Sequence, residues 1–308
     1  MAESSGGTEG QDGAGGVWAR RLAGGPAFSC AQGWGPGQVL EAFWRDVFAA
    51  TPQGYRVLEV GCGSADVSVW AAEAGRGLKI VASDLFDSAE GVRTHPDVTF
   101  LGGASVEALP APAASFDMVV SNFAVEYAPN RDAAAAELAR VLRPGGRGVL
   151  VLHSADSTVT QTSLIALETH AALLAADVPD RVRRAAALRP DHLSRRKLLK
   201  DVLRRRGEIP APMLSFSGVE YFALAERLLK GDPAARQDLA RLDEGVAMRM
   251  EISREQSGVA LDPAALSALT ARLRAVGFDV EASEMTCTYD NGATDKVGWI
   301  VLLTRRTD

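Results

Sequence analysis

The sequence predicts a doubly wound α/β sheet whose chain is interrupted by a helical block. Between Tyr55 and His153, short apolar runs alternate with helical stretches; parallel strands need such crossovers, and the crossovers place helices on both faces. One run, Val57-Leu-Glu-Val60, enters the glycine-spaced turn Gly61-Cys-Gly63 just before helix-forming sequence. After Ser154, roughly one hundred residues carry helical periodicity without a strand candidate. A last helix and two strands then follow, so the block is an insertion into the sheet domain rather than a separate tail.

Residues 1–16 are mostly Gly, Ser, Glu, Asp and Ala without apolar periodicity, which predicts a disordered tail. Residues 17–50 form an N-terminal helical segment rich in aromatics (Trp18, Phe28, Trp34, Phe43, Trp44, Phe48). Within it, residues 37–50 read as a helix, since Val39, Leu40, Phe43, Val47 and Phe48 recur at three- and four-residue steps. Strands are predicted at 56–60, 78–83, 98–101, 115–122 and 148–153. Helices are predicted at 64–74 and 131–142, the second stopped by Pro144-Gly-Gly146. The core thus covers 51–154 and 262–308, and the insertion 155–261. Helices of the insertion are expected at 162–176, 191–206, 219–229 and 232–254, the last with Asp232 as N-cap and Pro233 at its first position, with a break at Pro210 and Pro212. Asp262-Pro263 repeats that signature before a helix to Val276, and strands 278–289 and 298–304 flank Asp290-Asn-Gly292. Ligands of such Rossmann-like sheets gather at the carboxyl ends of the strands, near the switch in strand order.

Bulk properties narrow the function classes. No apolar run approaches the ~18 residues of a membrane span, and the N-terminus lacks a basic-then-apolar leader pattern. With three scattered cysteines, Cys30, Cys62 and Cys287, these features give the expectation of a cytoplasmic protein with reduced thiols and no membrane partner. The net charge of −6 argues against general nucleic-acid coating. It conceals an excess of nine positive charges in residues 181–206, where a nucleic acid or a carrier protein could dock. Leu198, Leu199, Val202 and Leu203 make one apolar stripe there, with Arg195, Arg196, Lys200, Arg204 and Arg205 around the rest. A solvated helix face is the reading favoured for them, and a homodimer interface in the helical block is a further reading.

The glycine turn marks a nucleotide-sized site. A dinucleotide fold wants a small residue three positions after the second glycine, and Asp66 stands there. Glu59, two residues before Gly61, would repel a pyrophosphate yet suits the ammonium end of a bound amino acid. Val57-Leu-Glu-Val-Gly-Cys-Gly-Ser-Ala65, Asp84, Glu107-Ala-Leu-Pro110, the run from Ser115 to Tyr127 and Glu137-Leu-Ala-Arg-Val-Leu-Arg-Pro-Gly-Gly146 occur in that order. In these motifs the chain resembles the class I S-adenosylmethionine-dependent methyltransferases, of the small-molecule type with a ubiquinone/menaquinone-methyltransferase-like core.

The resemblance implies a seven-stranded sheet closed by an antiparallel hairpin, S-adenosylmethionine as cofactor, and methyl transfer. It implies that Glu59, Gly61, Cys62 and Gly63 meet the methionyl part and that Asp84 accepts from the ribose hydroxyls. Leu85, Ser105 and Val106 would border the adenine, with Ser105 where many relatives carry Asp. Asn122 and Phe123 would border the methyl group. Ala65 replaces the third loop glycine. It leaves the acceptor open: a small molecule enclosed by the insertion as a cap, or RNA, a peptide or a carrier-bound chain, with a non-catalytic binding domain as the reading from another class. Tyr127 and His153 are candidate acceptor contacts. His153, closing the fifth strand, is the candidate general base, against a purely structural role there. No metal site is expected, since no Asp/Asn trio has recognisable spacing.

Overall fold

The structure is a computed structural model and describes residues 15–23, 36–209 and 218–307. The expected tail up to residue 14, together with Phe28, Cys30, Trp34, Pro210 and Pro212, lies outside the described residues. Two compact units emerge, Met1–Val159 with Val259–Asp308, and Thr160–Gly258.

The first unit is built on a sheet of β1 (Arg56–Val60), β2 (Lys79–Ser83), β3 (Val98–Leu101), β4 (Phe116–Asn122), β5 (Leu142–Leu152), β6 (Phe278–Thr288) and β7 (Thr294–Arg305). Their order is β3-β2-β1-β4-β5-β7-β6. β1 to β5 run parallel, and β7 is antiparallel to both β5 and β6. The order reverses between β1 and β4, so a ligand crevice belongs at the carboxyl ends of those two strands. Each face is covered by helices. On one, α2 (Pro36–Ala49) and α3 (Asp66–Glu73) bury Leu40, Trp44, Phe48, Val67 and Trp70 against Val57, Ile80, Met118 and Val149. On the other, α4 (Arg131–Val141) and α10 (Pro263–Ala275) bury Leu138, Leu269 and Leu273 against Leu58, Val119, Leu150 and Val301. Asp262 caps α10 by accepting from the Ala265 amide at 2.7 Å, with Pro263 at the first helical position.

Several local readings change. Residues 15–23 contain a helix, α1 (Gly15–Ala23), that lacks the long apolar stripe by which α2 is recognised. Pro144-Gly-Gly146 does not stop α4, which already ends at Val141 where Leu142 turns extended and pairs with Phe116. The three residues lie inside β5, where the register shifts between Phe116 and Met118 and Gly145 takes φ +73°.

The second unit packs α5 (Thr158–Ala175), α6 (Val178–Ala187), α7 (Leu193–Arg205), α8 (Gly218–Leu229) and α9 (Ala235–Val259) around Leu173, Val182, Leu199, Val202, Phe222 and Leu239. α6 was not among the expected helices. Asp232 does not cap α9; its Oδ1 closes a turn by accepting from the Ala234 amide, and its other oxygen binds Arg227. Arg195 leaves the solvated face expected for it, because it is buried and donates to the Leu228 carbonyl at 2.9 Å. The strand bridge of Ser154 with Leu261 ties both ends of the insertion to the sheet unit, with the Leu261 amide donating to the His153 carbonyl at 2.9 Å.

Candidate active site

A cavity of about 360 Å³ opens at the carboxyl ends of β1, β2 and β4, where the strand order reverses. All the residues singled out from the sequence line it: Glu59, Gly61, Cys62 and Gly63 after β1, Asp84 and Leu85 after β2, Ser105 and Val106 after β3, Asn122, Phe123 and Tyr127 at and beyond β4, and His153 after β5.

The β1 loop is shaped by backbone conformations that few side chains permit. Gly61 has φ +67°, and a Cβ there would lie 2.2 Å from the Ala124 Cβ. Gly61 is therefore required by the protein's own packing. Gly63, with φ +51°, meets nothing within 4 Å, so it is the bare backbone that faces the cavity. Ala65 holds φ +60° without being glycine, a strain of roughly 1–2 kcal/mol that its surroundings absorb. Asp66 then starts α3. Its carboxylate takes the Ser64 hydroxyl at 2.7 Å and pairs with Arg93 at 2.7 Å, tying the segment after β2 to the loop. A group that a pyrophosphate-binding turn could not accommodate is thus the anchor of this one.

Two carboxyl groups of the cavity wall, Glu59 and Asp84, are fixed in place by hydrogen bonds. Glu59 is 1% exposed and accepts from the Ser68 amide at 2.9 Å and the Ser68 hydroxyl at 2.5 Å. Burial, with smaller contributions from Asp66 and Asp84, raises its pKa to about 8. Asp84 accepts from the Gly63 amide at 2.8 Å with one oxygen and from the Leu85 amide at 2.7 Å with the other. Each oxygen keeps a lone pair beyond the loop, which suits a vicinal diol. Burial raises the Asp84 pKa despite those amides. The Cys62 thiol is held well above its usual range by burial and then by the charges of Glu59 and Asp84, so it remains protonated. Leu85 is 53% exposed, an apolar lip beside Asp84. Ser105 lines the wall with its hydroxyl already accepting from the Glu107 amide at 3.2 Å.

The β4–β5 side is aromatic. Asn122 Oδ1 accepts from the Trp44 indole at 3.0 Å, which fixes the amide against α2. Phe123, with φ +56°, stacks on His153 at 4.3 Å and 7°. Tyr127 meets His153 edge-on at 5.9 Å, and Trp18 of α1 meets Tyr127 edge-on at 6.0 Å. His153 is 1% exposed and neither ring nitrogen has a hydrogen-bond partner among the described residues. Burial lowers its pKa to about 3, so the ring is a neutral donor and acceptor rather than a base poised near neutrality. Its amide donates at 2.8 Å to Glu126, a buried carboxyl that desolvation raises to about 7. Among the described residues, no group of three or more His, Cys, Asp or Glu could hold a metal.

Residues 58–150 match the family described as a methyltransferase domain. The chain carries a class I S-adenosylmethionine-dependent methyltransferase domain. Curated relatives match about a third of the chain. An uncharacterized protein of Mycobacterium tuberculosis is 41% identical over 31% of this chain and 36% of its own length. A malonyl-acyl-carrier-protein O-methyltransferase of Enterobacter lignolyticus is 36% identical over 33% and 40%. A ubiquinone/menaquinone biosynthesis C-methyltransferase of Rhizobium etli is 35% identical over 38% and 50%. The chain thus spans half or less of the length of each of these relatives. Among solved structures, the CMeT domain of the citrinin polyketide synthase aligns with 87% of this chain and 51% of its own at 14% identity and a TM-score of 0.42. The methyltransferase assignment rests on the matched motifs and on the strand order observed directly.

For a methyltransferase domain the donor set fits the cofactor: carboxylates for an ammonium group and a ribose, an apolar lip, and bare backbone between them. Trp18, Arg21 and Leu22 of α1, and Phe86 after β2, also line the cavity and were not singled out as site residues. A short helix without cap or motif gives no signal of its place over the rim.

Proposed function

We propose that the protein transfers the methyl group of S-adenosylmethionine to a small-molecule acceptor, with the helical unit Thr160–Gly258 serving as the cap that selects it. The observation that carries this reading is the convergence of Glu59, Gly63, Asp84 and His153 on one cavity at the strand-order switch. The cofactor, when bound, supplies an activated methyl group on a sulfonium centre. The chain's contribution is positioning and water exclusion. Glu59 faces the ammonium end, Asp84 accepts from the ribose hydroxyls, and Leu85 with Ser105 and Val106 borders the base. On the β4–β5 side, Phe123 and Tyr127 wall the acceptor, and His153 offers it one N–H and one lone pair. With a pKa of about 3, His153 orients an acceptor hydroxyl or amine and is not prepared to remove its proton beforehand. The insertion's attachment after β5 supports its role as cap, because ligands of such sheets meet the carboxyl ends of the strands.

A carrier-bound acceptor is the second reading, supported by Arg196, Lys197 and Lys200, exposed on α7 with no ion pair among the described residues, and by Leu193 at 85% exposure. Calorimetric titration with S-adenosylmethionine and with NAD tests the cofactor assignment. Binding of the first alone is expected, and binding of NAD alone would overturn it. Asp84→Ala is expected to weaken S-adenosylmethionine by about tenfold or more, as loss of a charge-assisted hydrogen-bond partner does.

A further inference from the structure

α1 crosses the rim of the cavity between two anchors. At one end Trp18 meets Tyr127, which follows β4. One turn later Leu22 packs with Phe86 and Val92, which follow β2. Gly91 allows that approach, since a Cβ there would lie 2.6 Å from the Leu22 carbonyl oxygen. β1 lies between β2 and β4, so the turn from Trp18 to Leu22 spans the glycine loop that follows β1. Arg21 lies on that turn and lines the cavity.

Among the described residues, Arg21 is the one Lys or Arg in a wall that also contains Glu59, Asp66 and Asp84. It makes no hydrogen bond or ion pair among the described residues, whereas Asp66 has Arg93 and Asp84 has two loop amides. The amino-acid end of S-adenosylmethionine carries a cation and an anion. The wall's carboxylates suit the cation, which leaves the carboxylate needing the one group that can bind it. A guanidinium also matches a carboxylate with two parallel hydrogen bonds.

Resting on the cofactor reading above, we propose that Arg21 binds the α-carboxylate of the cofactor and thereby fastens α1 across the loaded site. The consequence reaches the acceptor. Trp18 is one helical turn from Leu22 and already meets Tyr127, so fastening α1 through the cofactor carboxylate also holds that side of the acceptor wall in place.

The test uses S-adenosylhomocysteine and its decarboxylated analogue, which lacks only the carboxylate, titrated into the full chain and into Arg21→Met. The wild type is expected to prefer S-adenosylhomocysteine by about tenfold, equivalent to about 1.4 kcal/mol. In Arg21→Met that preference disappears, both ligands binding at the weaker level. Hydrogen exchange of the 15–23 amides should slow on binding S-adenosylhomocysteine in the wild type and not in Arg21→Met. A variant that keeps the preference for the carboxylate overturns the proposal. Failure of the wild type to bind S-adenosylhomocysteine at all is a different result and removes the cofactor reading itself.

Discussion

In the helical unit, Asp243 receives the Tyr221 hydroxyl at 2.6 Å and two Arg183 nitrogens at 2.8 and 2.9 Å, and Arg181 pairs with Asp201 at 2.8 Å. In the sheet unit, Glu59 and Glu126 are each 1% exposed with no ion pair, and the nitrogens of His153 have no partner among the described residues. The first arrangement spends charge on its own fold: opposite charges hold the Asp243 and Asp201 carboxyls below the usual range, against the opposing cost of burial. The second pairs the Glu59 and Glu126 carboxyls with neutral donors only, and leaves Glu126 Oε2 and both His153 ring nitrogens without a partner among the described residues. The two units thus differ in how these carboxyls are met, by opposite charges in the helical unit and by neutral donors beside the cavity. The basic run at 181–206, the strongest charge feature of the sequence, supplies several of the paired groups.

The largest effect expected from breaking this contrast is at Gly61. Gly61→Ala places a Cβ 2.2 Å from the Ala124 Cβ at a positive φ. Overpacking and left-handed strain together should cost about 3 kcal/mol of stability, read as a shift of the urea midpoint. Ala124→Gly in the same chain removes the clash and should return the part due to overpacking. Gly63→Ala has no such neighbour and should cost about 1 kcal/mol while weakening the cofactor far more. Equal stability losses in the two glycine variants would erase the distinction between a glycine kept for packing and one kept for a ligand.

A smaller effect, with a sign that is fixed, comes from the buried glutamates. Glu59 at about 8 and Glu126 at about 7 both lie above 4.5, the ordinary glutamate value that holds in the unfolded chain. Between 4.5 and those values the folded state therefore holds more protons than the unfolded one. Their contribution is fully present below pH 4.5 and is lost as pH rises to about 7 and about 8. Unfolding of the ligand-free protein should show stability falling over that window, by up to about 1.4 kcal/mol per pH unit for each group. Glu59→Gln should flatten the slope, because below pH 6.5 the remaining Glu126 part is opposed by His153, whose pKa of about 3 leaves the extra proton on the unfolded chain. A pH-independent difference between wild type and Glu59→Gln would show that Glu59 is already ionised and its burial compensated.

The legible parts of this molecule are those whose determinants are close in sequence. β1, its glycine turn and Asp66 lie within about three helical turns' length of chain, and the strand-end rule alone places Asp84, Asn122 and His153 beside them. Hidden were features decided by distant contacts. α1 holds Trp18 and Arg21 over the rim only because Tyr127, Phe86 and Gly91 receive it. Pro144-Gly-Gly146 reads locally as a helix stop, but strand pairing with β4 claims Leu142 first and turns the glycines into a bulge. Arg195 looks like one more surface cation until Leu228 offers its carbonyl inside the helical core. His153 reads as a base because imidazole titrates near neutrality, and only its burial, invisible in the sequence, moves it to about 3.

The smallest expected effect tests whether the helical unit retains any charge for a partner. Arg196, Lys197, Lys200 and Arg204 are exposed on α7, and of these four only Arg204 has an ion pair among the described residues, to Asp201 at 3.4 Å. Replacing all four by Gln should leave the unfolding midpoint within about 0.5 kcal/mol of wild type, because none supports a buried group. With a small acceptor, turnover should also be unchanged and equally insensitive to salt. A carrier-bound acceptor makes the opposite demand. Its acidic surface would be drawn to these cations, so their loss should raise KM, leave kcat unaltered, and remove a salt dependence present in the wild type. A KM that rises only for the carrier-bound form would assign the exposed charge to partner docking while leaving the paired charge of Arg183 and Asp243 to the fold.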